Sequence, residues 1–484
     1  MEDYSKYLTK FLINSGINIS TIPENTIHQF ASETHITEAI QNIQKLQKEI
    51  MTDWRIRTRI LDFMNLSMTI PNGTEGVKYE HKIDRNKLTQ SEIIYFEFSG
   101  LDEVGLVYEQ EEGLIKGIPS TNGAFKIGIK FRVEGEAEHT ELHIKEINFV
   151  SNPDPKSLWK NIPSDENALY WKPDTRSSAE GLGGKNLVVS SKRGRSHQNV
   201  GSFRDDDYGF HYFEKTDWSI VAVSDGAGSA SFSRQGSELA CQEVIRYFKD
   251  MMPLRELISF EQKINQFEDT KDEQLLEEAK LDAKKSLYKA TLHVHNTIAK
   301  IAEQTAQAHP EKMDNTRAKT NADYFHATLI FVVFKKFDFG YVFLTFGVGD
   351  CPIGIVNKDQ TDAKLLNWLD VGEFGGGTRF ITQPDIFHSK ERPMITRFNV
   401  HIQEDFSYLF LMTDGIYDPK FEVEANLEKS EKWLDFIADL KGNNEDEVSV
   451  NFGGSPEEME SQLNQWMDFW SKGNHDDRTL AIIF

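Results

Sequence analysis

The chain has 484 residues, 39% hydrophobic and 27% charged, which is too long for one ordinary domain and apolar enough for two or three. Its formal net charge of −23 disfavours nucleic-acid binding through phosphate contacts. Two cysteines, Cys241 and Cys351, provide no disulfide framework. The start has no basic segment followed by an apolar core, and no apolar run approaches a membrane span, so a cytoplasmic protein is expected.

Residues 1–65 read as a helical segment. Ile36, Ile40, Ile43, Leu46, Ile50 and Trp54 recur at steps of three and four. Such a stripe suits a helix packed on the next module; the second reading is a dimerisation or partner helix. Residues 66–152 change period. Ile93–Phe98 is a strand run, and Phe125, Ile127, Ile129, Phe131 and Val133 alternate as a half-buried strand does. Residues 153–185 carry Pro153, Pro155, Pro163, Pro173, Gly181, Gly183 and Gly184, the signature of a linker. Leu158-Trp159 and Tyr170-Trp171 are apolar anchors that would dock it on a domain surface.

Residues 186–484 form the last expected domain. Ile220–Val223 is an apolar strand that ends in Ser224-Asp225-Gly226, where glycine lets backbone approach whatever the carboxylate holds. A packed helix follows over Gly236–Phe248. Residues 253–322 turn Lys-, Glu- and Ala-rich; Leu287, Val294, Ile298 and Ile301 fit an amphipathic helix, and Glu268–Glu278 reads as a charged mobile loop. His293 and His295, two apart, lie on different helix faces and read as surface or packing residues. Ala327–Lys335 and Gly340–Phe346 predict a strand pair. The glycine-rich run from Gly372 to Gly377 lacks the lysine of a phosphate loop and reads as a flexible flap. Residues 421–470 predict two acidic amphipathic helices over a sheet face.

Five places set a carboxylate beside a strand: Asp205-Asp206-Asp207, Asp225, Asp350, Asp414 and Asp476-Asp477. Oxygen ligands in this number suit hard divalent cations such as Mg²⁺ and Mn²⁺, and not Zn²⁺. Each aspartate alone is a turn or cap residue, and for Asp207, Asp418 and Asp477 that reading competes with the functional one.

Taken in order, RDDDYGF, VAVSDGAGSA, HATLIFVVF, GVGDC, FLMTDGIYD and HDDRTLAIIF resemble the motif series of the metal-dependent Ser/Thr protein phosphatases of the 2C type, the PPM family, in a bacterial-like form. The resemblance covers about residues 186–484. It implies an α+β fold, an α/β/β/α sandwich of two antiparallel sheets flanked by helices. It also implies a catalytic set of Asp225, Asp414 and Asp476 working with two or three Mn²⁺ or Mg²⁺ ions per chain. The metal ligands it implies are Asp205, Asp206, Asp225, the Gly226 carbonyl, Asp350, Asp414, Asp476 and Asp477. Asp350 matches a third, weaker site, and Asp477 ranks below Asp476 because the family often has Asn there. Arg204 and His197, with Arg195, are the candidates for binding substrate phosphate. The chain departs from the pattern at Ala227, where some members have a proton-donating histidine, and at Cys351, where Ser is usual. His475, His197 or a metal-bound water would then protonate the leaving group. Residues 113–125 resemble the immunoglobulin-like repeats of bacterial proteins, which implies a small immunoglobulin-like β-sandwich over 66–152.

Phosphate monoesters hydrolyse very slowly in water, and two cations can hold a hydroxide between them for in-line attack. The leading expectation is therefore an enzyme that hydrolyses phosphoserine and phosphothreonine in proteins. Its partners would be phosphoproteins, a Ser/Thr kinase or that kinase's targets, with no nucleic acid and no membrane; the oligomeric state stays open. The alternative is a catalytically inactive phosphatase fold used as a scaffold or binding module. A third reading, an adhesion or envelope protein, finds no support in the leaderless start.

Overall fold

In the strand Trp218–Ser224, Trp218, Ile220 and Ala222 enter one buried layer, while Val221 and Val223 enter another. The same two-residue alternation divides Leu329–Phe337 and Phe406–Met412 between layers. Both faces of these strands are covered, which is why they read as unbroken apolar runs. The computed structural model describes residues 4–84, 86, 92–251, 255–313, 318–370, 377–390, 392–471 and 473–484. Contacts divide the chain into two compact units, Met1–Leu158 and Trp159–Phe484.

The larger unit holds two antiparallel sheets. One orders Asp207–Phe213, Trp218–Ser224, Leu329–Phe337, Gly340–Val348 and Phe398–Gln403. The other orders Ala363–Leu365, Ile353–Asn357, Phe406–Met412, Arg478–Ile483, Lys185–Lys192 and Thr175–Leu182. Leu187, Val189, Val221, Val223, Ile330 and Leu411 belong to the apolar layer between them. The helices Ser233–Met251, Arg255–Thr270 and Glu273–Ala308 cover the outer face of the first sheet. Ser430–Leu440 and Pro456–Trp466 cover the second. This is the expected α+β sandwich of four layers.

The smaller unit contains the helices Ser5–Asn14, Glu24–Ala31 and Thr34–Asn65. A four-stranded sheet orders Gly73–Thr74, His143–Asn152, Gly123–Val133 and Ile93–Ser99. A three-stranded sheet orders Tyr79–Lys82, Leu114–Gly117 and Leu106–Glu109. Phe63 at the end of the long helix shares one core with Ile115, Ile127, Ile129, Phe131 and Phe149 from both sheets.

Two expectations need correction. The expected linker 153–185 is mostly part of the larger unit: Thr175–Leu182 pairs along its length with Lys185–Lys192 as a sheet edge. Of its anchors, Trp159 packs 4.5 Å from the His475 ring and Tyr170 packs on Phe232 and Phe325, whereas Leu158 is exposed. Glu268–Glu278 is not a loop; it is the tip of a helical hairpin with only Lys271 and Asp272 between helices. Asp272 caps the second helix by accepting from the Gln274 N–H at 3.0 Å, and Lys280–Glu277 adds a pair one turn apart. The flap read at Gly372–Gly377 lies outside the described residues except for Gly377. Among the described residues, no helix is long and apolar enough to cross a membrane.

Candidate metal centre

The aspartates cluster because the two sheets deliver the ends of different strands to one edge. Asp225 follows Trp218–Ser224, Asp414 opens a helix just after Phe406–Met412, Asp350 follows Gly340–Val348, and Asp476-Asp477 precede Arg478–Ile483. Glycines permit the close approach. A Cβ on Gly226 would stand 2.5 Å from the Asp205 carbonyl oxygen, and one on Gly415 would stand 2.0 Å from that of Asp477. Asp-Gly is therefore needed at both strand ends for backbone space.

Hydroxyls fix the carboxylates and leave oxygens over. Thr413 Oγ1 and Thr479 Oγ1 donate to Asp206 Oδ2 at 2.8 and 2.9 Å. Thr378 Oγ1 donates to Asp350 Oδ2 at 2.8 Å. The second oxygens, Asp206 Oδ1 and Asp350 Oδ1, and also Asp414 Oδ1, are buried with no hydrogen-bond partner. Asp225 is pinned through its backbone: its N–H donates to Thr328 Oγ1 at 2.9 Å and its carbonyl accepts from Thr328 N–H at 2.8 Å. Burial, then the mutual repulsion of Asp225, Asp414, Asp206, Asp350 and Asp476, raises the proton affinity of Asp225 and Asp414 far above the carboxylate range. Asp205, Asp206, Asp350 and Asp476 shift the same way, burial first. Buried carboxylates this close, with oxygens unpartnered, need a cation or protons to be stable.

Asp477 is held differently. Its Oδ1 accepts from Gly194 N–H at 2.6 Å and lies 3.0 Å from His197 Nδ1, and its Oδ2 accepts from Asp205 N–H. Burial favours its neutral form, but these donors outweigh that and keep it ionised. His197 is its counterpart: burial disfavours the imidazolium, yet the Asp477 hydrogen bond and charge lift its pKa to about 10. Ligand atoms of His197, Asp476 and Asp477 lie within 4.8 Å of one another. His197 Nε2 is 3.9 Å from Asp205 Oδ2.

Arg204 does not reach the open side of the cluster. Its guanidinium is buried and donates to the carbonyls of Pro173 and Asp206 and to Ser191 Oγ at 2.6–2.9 Å. These bonds commit it to the interior, which corrects its expected phosphate contact. It joins a buried network around Asp207, which pairs with Lys172 at 3.0 Å and Arg176 at 2.9 Å. Burial would push the Asp207 carboxyl up, but Lys172, Arg204 and Arg176 hold it at about 2. Arg195 donates to the Asp468 and Phe469 carbonyls beside the Trp470 ring. His475 packs between Trp159 and Trp470, and burial with Arg195 and Arg478 nearby lowers its proton affinity.

Sequence reasoning did not single out Lys172, Thr328, Thr378, Thr413 or Thr479. Thr413 precedes Asp414 and Thr479 follows Asp477 by two, so strand ends carrying Thr beside Asp held a signal. Thr378 and Lys172 are far in sequence from the aspartates they hold and left none.

Residues 193–468 match the family described as Protein phosphatase 2C, more than half of the 484-residue chain. The chain belongs to the protein phosphatase 2C family. The matched segment includes Asp205, Asp206, Asp225, Asp350 and Asp414 and ends before Asp476. Among solved structures, a bacterial serine phosphatase is similar at 17% identity over 61% of this chain and 96% of its own, with a TM-score of 0.33. The serine/threonine phosphatase Stp1 from Staphylococcus aureus is similar at 14% identity over 61% and 93%, TM-score 0.32. The catalytic domain of the serine/threonine protein phosphatase PstP, solved with two manganese ions, is similar at 12% identity over 64% and 98%, TM-score 0.33. A comparison with curated proteins finds no match.

Proposed function

We propose that this chain is a divalent-cation-dependent phosphatase acting on phosphoserine and phosphothreonine in proteins. The observation that carries the reading is the set of buried, unpartnered carboxylate oxygens on Asp206, Asp350 and Asp414 beside Asp225. An all-oxygen donor set with this much negative charge fits Mn²⁺ or Mg²⁺. When bound, two such cations would lower the pKa of a water and neutralise phosphate oxygens during in-line displacement.

The chain's own residues have distinct tasks. Asp225, with the Gly226 carbonyl, Asp414 and Asp476 would hold the two cations. Asp206 would contribute its free Oδ1, and Asp350 would serve a third position. Thr413, Thr479 and Thr378 choose which oxygen of Asp206 and Asp350 stays free. Asp477 ties Gly194, His197 and Asp205 together, so its role is positioning rather than ligation. His197, cationic beside Asp205, is the proposed phosphate contact in place of Arg204. The smaller unit would recognise the phosphoprotein.

The scaffold reading has two observations in its favour: Arg204 is committed internally, and Ala227 offers no proton. Two measurements on the full-length protein separate the readings: hydrolysis of p-nitrophenyl phosphate and of a phosphothreonine peptide, and thermal melting, each with Mn²⁺ and with EDTA. Mn²⁺-dependent turnover and a raised melting temperature are expected. A Mn²⁺-dependent rise in melting without turnover means a scaffold; no effect of Mn²⁺ on either refutes the metal centre.

A further inference from the structure

The helix Thr34–Asn65 carries two apolar faces. On one, Ile56, Ile60 and Phe63 join the core of the two small sheets. On the other, Ile36 and Ile40 pack with Leu8, Ile27 and Ala31 of the two preceding helices. At 100° per residue that second face continues through Ile43, Leu46, Ile50, Trp54, Arg57, Leu61 and Met64 within an arc of about 80°. The preceding helices do not cover this continuation: Leu46, Ile50, Trp54 and Leu61 are 57, 66, 61 and 53% exposed. The steps of three and four between these residues are those of a two-helix seam.

We infer that this stripe pairs with the same stripe of a second copy, the two helices antiparallel with Trp54 at the two-fold axis. The charges decide the direction. A parallel, in-register pair would set Arg57 against Arg57 inside the seam, whereas an antiparallel pair parts them along the helix. The antiparallel pair centred between residues 53 and 54 sets Ile43 opposite Met64 and Leu46 opposite Leu61. It also brings Arg57 of each copy within one turn of Asp53 of the other, so the interface is self-complementary, as a two-fold contact requires. The stripe runs about 33 Å and offers on the order of 500–800 Å² per copy, close to the ~800 Å² per partner of a standard stable interface.

The test uses the full-length chain and reads mass by sedimentation or light scattering at micromolar concentration. Wild type is expected at twice the 55.5 kDa chain mass. Ile50→Glu with Trp54→Glu is expected to halve it, with far-ultraviolet circular dichroism unchanged because both side chains face solvent in the single chain. Asp53→Arg alone is expected to weaken the dimer, and Asp53→Arg with Arg57→Asp to restore it. A mixture of Leu46→Cys and Leu61→Cys variants should cross-link 46 to 61 on oxidation; Cys241 and Cys351 are buried and stay out of the reaction. A wild-type mass of one chain overturns the inference, whether the stripe is bare or covered by the chain itself. So does a dimer that survives Ile50→Glu/Trp54→Glu or the failed charge swap, or a 46-to-46 cross-link.

Discussion

Lys172→Met should destabilise the larger unit and loosen the acidic segment that supplies Asp205 and Asp206. Lys172 Nζ donates to the Asp206 carbonyl at 2.7 Å, Asp207 Oδ2 at 3.0 Å, the Arg234 carbonyl at 3.0 Å and Ser237 Oγ at 3.2 Å. Both charged partners are buried. Removing one side of such a pair costs about 3–5 kcal/mol, because the other charge and the carbonyls lose their donor without regaining water. Asp207 keeps Arg176 at 2.9 Å and Arg204 at 3.8 Å, so the low end, about 3 kcal/mol, is expected. In a unit of this size that lowers the melting temperature by about 6 °C, at roughly 2 °C per kcal/mol. Since the Asp206 carbonyl is one of the four acceptors, Mn²⁺ affinity measured by calorimetry should fall as well. A cycle with Asp207→Asn isolates the pair: the double variant should be more stable than the two single losses summed. If Lys172→Met melts within 1 °C of wild type and binds Mn²⁺ normally, the buried ammonium does not hold the acidic segment.

The strands were legible where both faces are buried. IVAV, LIFVVF and YLFLM show apolar runs because each residue enters one of two cores, and the Asp-Gly ends of the first and last marked two of the carboxylates before any contact was known. Thr175–Leu182 was not legible. It is an edge strand in which only Ala179 and Leu182 are buried, so its polar residues and nearby Pro and Gly imitate a linker. The charged hairpin at 268–278 was missed for a related reason: Glu- and Lys-rich sequence is compatible with a solvated helix as well as a loop, and the Asp272 cap decides between them. In the site, residue types and strand-end positions pointed to the aspartates, but the direction of each side chain was not readable. Arg204 beside three aspartates looked like a phosphate ligand. The fold instead turns it inward, because a buried Asp207 needs cations and Arg204 is three residues away. Asp477 looked like a ligand and accepts three donors from the protein, two of them backbone N–H groups that no sequence pattern announces.

Asp225→Asn and Asp414→Asn should each cut Mn²⁺-dependent turnover by orders of magnitude with unchanged circular dichroism; near-normal rates in either would remove the centre of the assignment. A chain begun at Trp159 should fold and hydrolyse p-nitrophenyl phosphate at about the full-length rate, but with a raised KM on a phosphoprotein. One begun at Leu187 should not fold, since it lacks the edge strand and Lys172. Asp477→Asn separates ligation from positioning. Asparagine keeps one acceptor oxygen for the Gly194 and His197 side, and its amide then faces the Asp205 N–H, donor against donor. A buried N–H left without an acceptor costs about 1–3 kcal/mol, and His197 loses the charge that lifts its pKa to about 10. The expected result is a melting temperature lower by several degrees, a raised KM for phosphosubstrate, and Mn²⁺ affinity within about threefold of wild type, a difference below 1 kcal/mol. Asp476→Asn should do the reverse, weakening Mn²⁺ more than the fold. If Asp477→Asn weakens Mn²⁺ binding as much as Asp225→Asn does, Asp477 is a ligand and its three donors are displaced when the cation binds.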